Sequence, residues 1–137
     1  MENWLVYLIL GFFAFDLLLV AWLLYKKSKA KSFSSQELHY MRSHWIRIID
    51  SFKSHGRESI MDADKLLDYA LAKRGFEGTL GEKLKKAGPR FSDLNGIWTA
   101  HKLRNQIAHE LVDLNLLEAK NALFQFKKAL NDLGVGL

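Results

Sequence analysis

Hydrophobic positions divide this chain into one unbroken apolar run followed by a series of one-sided stripes. The run is Trp4 to Tyr25, interrupted only by Gly11 and Asp16. As a helix it would be about 33 Å long, enough to cross a hydrocarbon core. Trp4 and Tyr7 stand near one end and Trp22 and Tyr25 near the other, where amphipathic rings prefer the membrane–water boundary. The run is too long for the core of a signal peptide, no basic residue precedes it, and no small-x-small cleavage site follows. It has no polar face, which argues against a helix lying in the interface. Residues 4–25 are therefore predicted to be a single transmembrane helix. Asp16 falls mid-span. An ionised carboxyl facing lipid there costs a few kcal/mol, so Asp16 is read as turned toward a partner helix, with a tolerated neutral acid as the alternative.

After the run the period changes to three and four. Ser34-x-x-Glu37 has the form of a capping box. It opens a helix with Leu38, Met41, Trp45, Ile48 and Phe52 on one face. Ser54-His55-Gly56 breaks it. A second helix is expected over 57–73, with Ile60, Ala63, Leu66, Leu67, Ala70 and Leu71 inward and Glu58, Asp62 and Asp68 available to neighbours. Thr79-x-x-Glu82 opens a short helix that Gly88-Pro89 closes. Ser92 or Asp93 caps the next, which runs to about His109 with Ile97, Ala100, Leu103 and Ile107 inward. Asn115-x-x-Glu118 starts the last, striped by Leu116, Ala119, Leu123, Phe126 and Leu130 and closed by Gly134. No segment alternates as a half-buried strand does. The fold class is all-α: a transmembrane helix, a basic linker over 26–34, and an up-and-down bundle over 35–134 of four main helices and one short one.

Charge adds an orientation and a class of partner. The chain has 20 Lys and Arg, and all of them follow residue 25. The net charge of +5 is thus −2 up to Tyr25 and +7 beyond it. Lys26, Lys27, Lys29 and Lys31 adjoin the apolar run, which by the positive-inside rule predicts a short external N-terminus and a cytoplasmic bundle. These lysines also suit anionic lipid. The basic remainder suits phosphate, and RNA is an expected partner beside the lipid bilayer. Lys83, Lys85, Lys86 and Arg90 form a further cluster, read either as a solvated face or as a phosphate track. With no Cys there is no disulfide, thiolate metal site or cysteine nucleophile. His39, His44 and His55 have no metal-ligand spacing and are expected at the rim of the bundle. No P-loop, zinc signature or GxGxxG is present, so neither a metal nor a small-molecule cofactor is expected.

The candidate chemistry lies in Lys102-Leu103-Arg104-Asn105-Gln106-Ile107-Ala108-His109-Glu110. The guanidinium of Arg104 is a permanent cation whose planar fork matches phosphate oxygens. The imidazole of His109 moves protons near neutral pH. Together they suffice for RNA cleavage without a metal: the His transfers the proton and the Arg stabilises charge on phosphorus. On an ideal helix, however, Arg104 and His109 point about 140° apart. Asn105 and His109 share a face, with His101 one turn earlier. The pair therefore needs a helix end near His109 or a second copy across a two-fold axis. Trp98, on the same helix, is read as a packing anchor or as a surface for stacking a base.

Arg104-Asn105-x-x-x-His109 resembles the R-x(4–6)-H motif of HEPN domains, in which a polar residue, often Asn, follows the Arg. In that family the motif ends one helix before a short turn into the last, and Leu111-Val112-Asp113-Leu114-Asn115 fits such a turn. The resemblance extends over Ser35 to Leu133, and Glu58 to Leu67 is similar to a HEPN core helix. Where many small HEPN toxins carry Tyr two residues after the motif His, this chain has Leu111.

The resemblance implies a membrane-tethered, homodimeric, metal-independent endoribonuclease. Its catalytic residues would be Arg104 as phosphate clamp, Asn105 as orienting group and His109 as general acid/base. Two alternatives stand beside it. One is a non-catalytic RNA-binding or dimerisation module of the same fold. The other is a structural protein in which Arg104 pairs with an acid such as Glu58 or Asp62 and His109 is a satisfied group at a helix C-terminus.

Overall fold

The computed structural model describes residues 3–28, 31–111 and 113–137, without the side chains of 26–28. The described residues are helical, with no strand. The elements are α1 (Asn3–Ser28), α2 (Ser35–Ser51), α3 (Gly56–Lys73), α4 (Leu80–Ala87), α5 (Leu94–His109) and α6 (Leu116–Asp132), with a 3₁₀ turn at Gly88–Arg90. Residues 1–31 and 32–137 form separate compact units. The expected all-α bundle, four main helices and a short one after an apolar helix, is the architecture found.

α1 is the first unit. Asn3–Tyr25 has a mean hydropathy of 2.3 and is long and apolar enough to cross a membrane. Its side chains are exposed along almost its whole length. Apolar surface this continuous is not stable in water and has to be covered by lipid or protein. The side chains of Lys26, Lys27 and Lys29, which carried the expected orientation, lie outside the described residues.

The second unit is built around α3, which packs against α2, α4, α5 and α6, while α5 also packs along α6. Met41, Ile60, Leu67, Leu71, Leu84, Ile97, Phe126 and Leu130 are fully buried between these helices. All but Leu84 fall on the stripes the three-and-four spacing marks, because that spacing keeps one face of each helix toward a common interior. Leu116, expected on the inward stripe of α6, is instead 61% exposed, since it stands in the first turn, where no neighbouring helix among the described residues covers it.

The helix ends are set by side chains. Glu37 N donates to Ser34 Oγ (3.2 Å) and Ser34 N to Glu37 Oε2 (2.9 Å). Thr79 and Glu82 repeat the box at α4. Asp93, of the two candidates, caps α5 by accepting from Gly96 N (2.9 Å). Asn115 Oδ1 caps α6 by accepting from Leu117 N (2.8 Å). At the other end of α6, Gly134 takes φ +94°, so that Val135 N reaches Leu130 O (3.0 Å). A residue with Cβ is strained in that conformation.

Backbone N–H donors at these caps hold the carboxyls of Glu37, Glu82 and Asp93 below their ordinary values of 4.5, 4.5 and 3.8. A depressed folded-state pKa contributes stability that is present above the unfolded value and lost as pH falls through the folded one. Acid titration of helicity is therefore expected to show α2, α4 and α5 loosening only below the ordinary carboxylate range. Glu37→Gln with Glu82→Gln, which cannot ionise, should flatten that acid limb; an unchanged limb would show that these carboxyls do not set it.

Candidate functional site

α5 carries the site because Asp93 fixes its start and Arg57 its end. From α3, Arg57 Nη2 donates to Ile107 O (3.0 Å) and Glu110 O (3.3 Å). These are carbonyls that a helix C-terminus leaves without intrahelical partners. Ile97, Ala100 and Ile107 bury one face of α5, which turns His101, Arg104 and Asn105 toward α3.

Those three meet Asp64 in a closed ring. His101 Nδ1 lies 2.7 Å from Asp64 Oδ1. Asn105 Nδ2 lies 3.3 Å from His101 Nε2, and Arg104 Nη1 donates to Asn105 Oδ1 at 3.0 Å. Arg104 Nε closes the ring 3.2 Å from Asp64 Oδ2. Its N–H is not aligned on that oxygen, so this last contact is an ion pair rather than a directed hydrogen bond. With His101 neutral and its proton on Nδ1, the three directed bonds run one way, Arg104 giving to Asn105, Asn105 to His101 and His101 to Asp64, while Arg104 Nε is left without a directed acceptor. The ring then holds one anion and one cation. This satisfies a carboxylate whose side chain is only 6% exposed, where an unpaired charge would be costly.

Of the three residues expected to act together, the structure joins two. Arg104 and Asn105 are bonded to each other, and Asn105 turns its amide to His101 rather than His109. His109 stands in the last turn of α5, exposed, and no side-chain hydrogen bond to it is found among the described residues. Among the described residues no hydrogen bond joins Arg104 to His109, in keeping with their angular separation along an ideal helix. The turn after His109 runs through Leu111, fully exposed, to Asn115, and Val112 within it lies outside the described residues.

Two residues that matter here, Asp64 and His101, had no assigned role, and the acid paired with Arg104 is Asp64, not Glu58 or Asp62. Asp64 follows Ile60 by four and precedes Leu67 by three. An acid in an apolar stripe has to find a buried partner, and that is the signal that would have picked it out. Lys83 follows the same rule. It lies between Leu80 and Ala87 on the inner face of α4, is buried, and reaches Asp68 Oδ1 at 2.8 Å. It therefore leaves the basic cluster of Lys83, Lys85, Lys86 and Arg90 that was open to reading as a solvated face or a phosphate track. Lys86 donates to Glu77 O, and Arg90 lies over the Phe76 ring. Trp98 is half-buried, against Gly81 and edge-on to His101, which makes it mainly a packing group.

A shallow pocket of about 430 Å³ opens beside the ring, lined by Asp64, Lys65, Asp68, Thr79, His101 and Arg104. Among the described residues no three His, Asp or Glu side chains gather as metal ligands would.

No family model, curated protein or solved structure matches the chain. Its reading therefore rests on its own residues.

The ring predicts an asymmetry in stability. Arg104→Ala leaves Asp64 charged and enclosed, whereas Asp64→Ala leaves Arg104, 24% exposed, free to turn its guanidinium to water. Breaking a buried pair costs roughly 3–5 kcal/mol. Arg104→Ala is expected at about 3 kcal/mol, the low end, and Asp64→Ala below it. Urea titration of the full chain in detergent, followed by Trp fluorescence, measures both; the reverse order would show that Asp64 is not the trapped charge.

Proposed function

We propose that this protein is a membrane-tethered, HEPN-like domain that cleaves RNA without a metal ion. α1 provides the tether, and the lysines that follow it hold the bundle on the cytoplasmic side. Arg104 clamps a phosphate, Asn105 fixes the Arg104 fork, and His109 transfers the proton. The observation that carries this reading is the state of His109. A structural histidine at a helix end would be bonded, yet this one is open to solvent at the tip of the helix that also carries a pre-oriented arginine. Because the two point apart, the productive centre combines Arg104 of one copy with His109 of a second across a two-fold axis.

The pairing of Arg104 with Asp64 favours a second reading, in which Arg104 is chiefly an internal tie and the domain binds RNA or a second copy without cleaving. Incubation of the full chain in detergent with mixed RNAs, with and without EDTA, separates the two. Cleavage that survives EDTA and leaves 2′,3′-cyclic phosphate ends is the expected result, since a 2′-hydroxyl is the nucleophile. Binding without cleavage would leave the second reading.

A further inference from the structure

The bundle exposes an apolar face that its core does not need. In α2, Ile46 and Ile49 are 60% and 46% exposed, although Trp45 and Ile48 beside them are buried. In α6, Phe124 is 60% exposed next to buried Leu123. These residues, with Trp45 and Phe52, line an open groove of about 570 Å³ between the two helices. Exposed Leu116 and Leu117 continue the apolar surface along α6. A helix that faces only core and water has one apolar stripe; α2 and α6 each carry a second.

We propose that this groove docks on an anionic bilayer surface. The inference rests on the tethered reading of α1. Three observations select lipid as the occupant. Lys120 and Lys127 line the groove and bracket Phe124 at four residues before and three after. A ring flanked by long cations enters an interface with its charges held at headgroup level. Asp50 is the acid that lines the groove, and Glu118 stands exposed beside Leu117, so the lining itself is net positive. Next, only six residues separate Ser28, the end of α1, from Ser35, the start of α2. They let Ser28 and Ser35 stand at most about 25 Å apart, which keeps the groove at high effective concentration near the bilayer. Finally, a second copy seated on this face would place Lys120 and Lys127 of both copies in one apolar contact, where lysine is disfavoured.

The chain has no cysteine, so a single introduced one reports on its own surroundings. Full-length Ile46→Cys, carrying an environment-sensitive fluorophore, is reconstituted into phosphatidylcholine vesicles with or without one quarter phosphatidylserine. Glu77→Cys, in the exposed loop between α3 and α4, serves as control. The expected result is a blue-shifted Ile46→Cys emission, quenched by acyl-chain spin labels, that needs phosphatidylserine and is lost in Lys120→Glu/Lys127→Glu. The Glu77→Cys label should stay water-like throughout. A water-like Ile46→Cys label in anionic vesicles, with α1 still resistant to carbonate extraction, would overturn the docking face alone. Extraction of α1 would instead remove the tether, and the docking face with it. Shielding that follows protein density rather than phosphatidylserine would assign the groove to a second copy and overturn the proposal.

Discussion

His109→Ala is expected to reduce RNA cleavage by about 10²–10⁴-fold, the usual worth of general acid/base catalysis, and to leave the bundle folded. The side chain is exposed and, among the described residues, unbonded, so its removal should change stability by no more than roughly 0.5 kcal/mol. That separation makes His109 the cleaner probe of the site. Arg104→Ala should lose about 10²-fold or more, because phosphate charge goes unstabilised, but it also unbalances Asp64. Its activity has to be read well below its unfolding midpoint. Arg104→Lys should rescue little, since an ammonium is a point charge and cannot reproduce the fork that holds Asn105. A site shared between copies has a further consequence. Mixing Arg104→Ala with His109→Ala chains should restore cleavage, because a mixed dimer keeps one centre with both groups. Vigorous cleavage by folded His109→Ala protein would sink the catalytic assignment. Failure of the mixture to recover would sink the shared site.

Phe126→Ala is expected to cost about 3–5 kcal/mol, the range for emptying a fully buried aromatic site. Phe126 is 0% exposed on the face of α6 that meets the core. Domains of this size are stable by only about 5–15 kcal/mol, so the variant should lose a large share of its stability. Phe124→Ala, two residues earlier, is the internal control. Its ring is 60% exposed, and its loss should change the unfolding free energy from urea titration in detergent by roughly 0.5 kcal/mol or less. Equal effects at the two positions would contradict the placement of α6.

What was legible in the sequence is what a single helix decides for itself. The apolar run of α1 announces its length and its need for lipid or protein cover. The boxes at Ser34 and Thr79 and the caps at Asp93 and Asn115 mark helix starts through contacts within four residues. Inward stripes follow from a fixed period. The angle of about 140° between Arg104 and His109 follows from the same period, and among the described residues no hydrogen bond joins the two.

What only the tertiary structure decided is which side chains of different helices meet. Asp62 and Asp64 lie about 200° apart around α3, so the rotation of α3 against α5 chooses between them. Periodicity along α3 cannot fix that rotation alone; the packing of Ile60 and Leu67 does, and it delivers Asp64 to His101 and Arg104. Lys83 and Asp68 meet for the same reason. The exposed groove between α2 and α6 is likewise set by packing. The three-and-four period already set Leu123 inward and left Phe124 off the stripe, but it set Leu116 inward too, and only the neighbouring helices decide that Leu116 stays exposed.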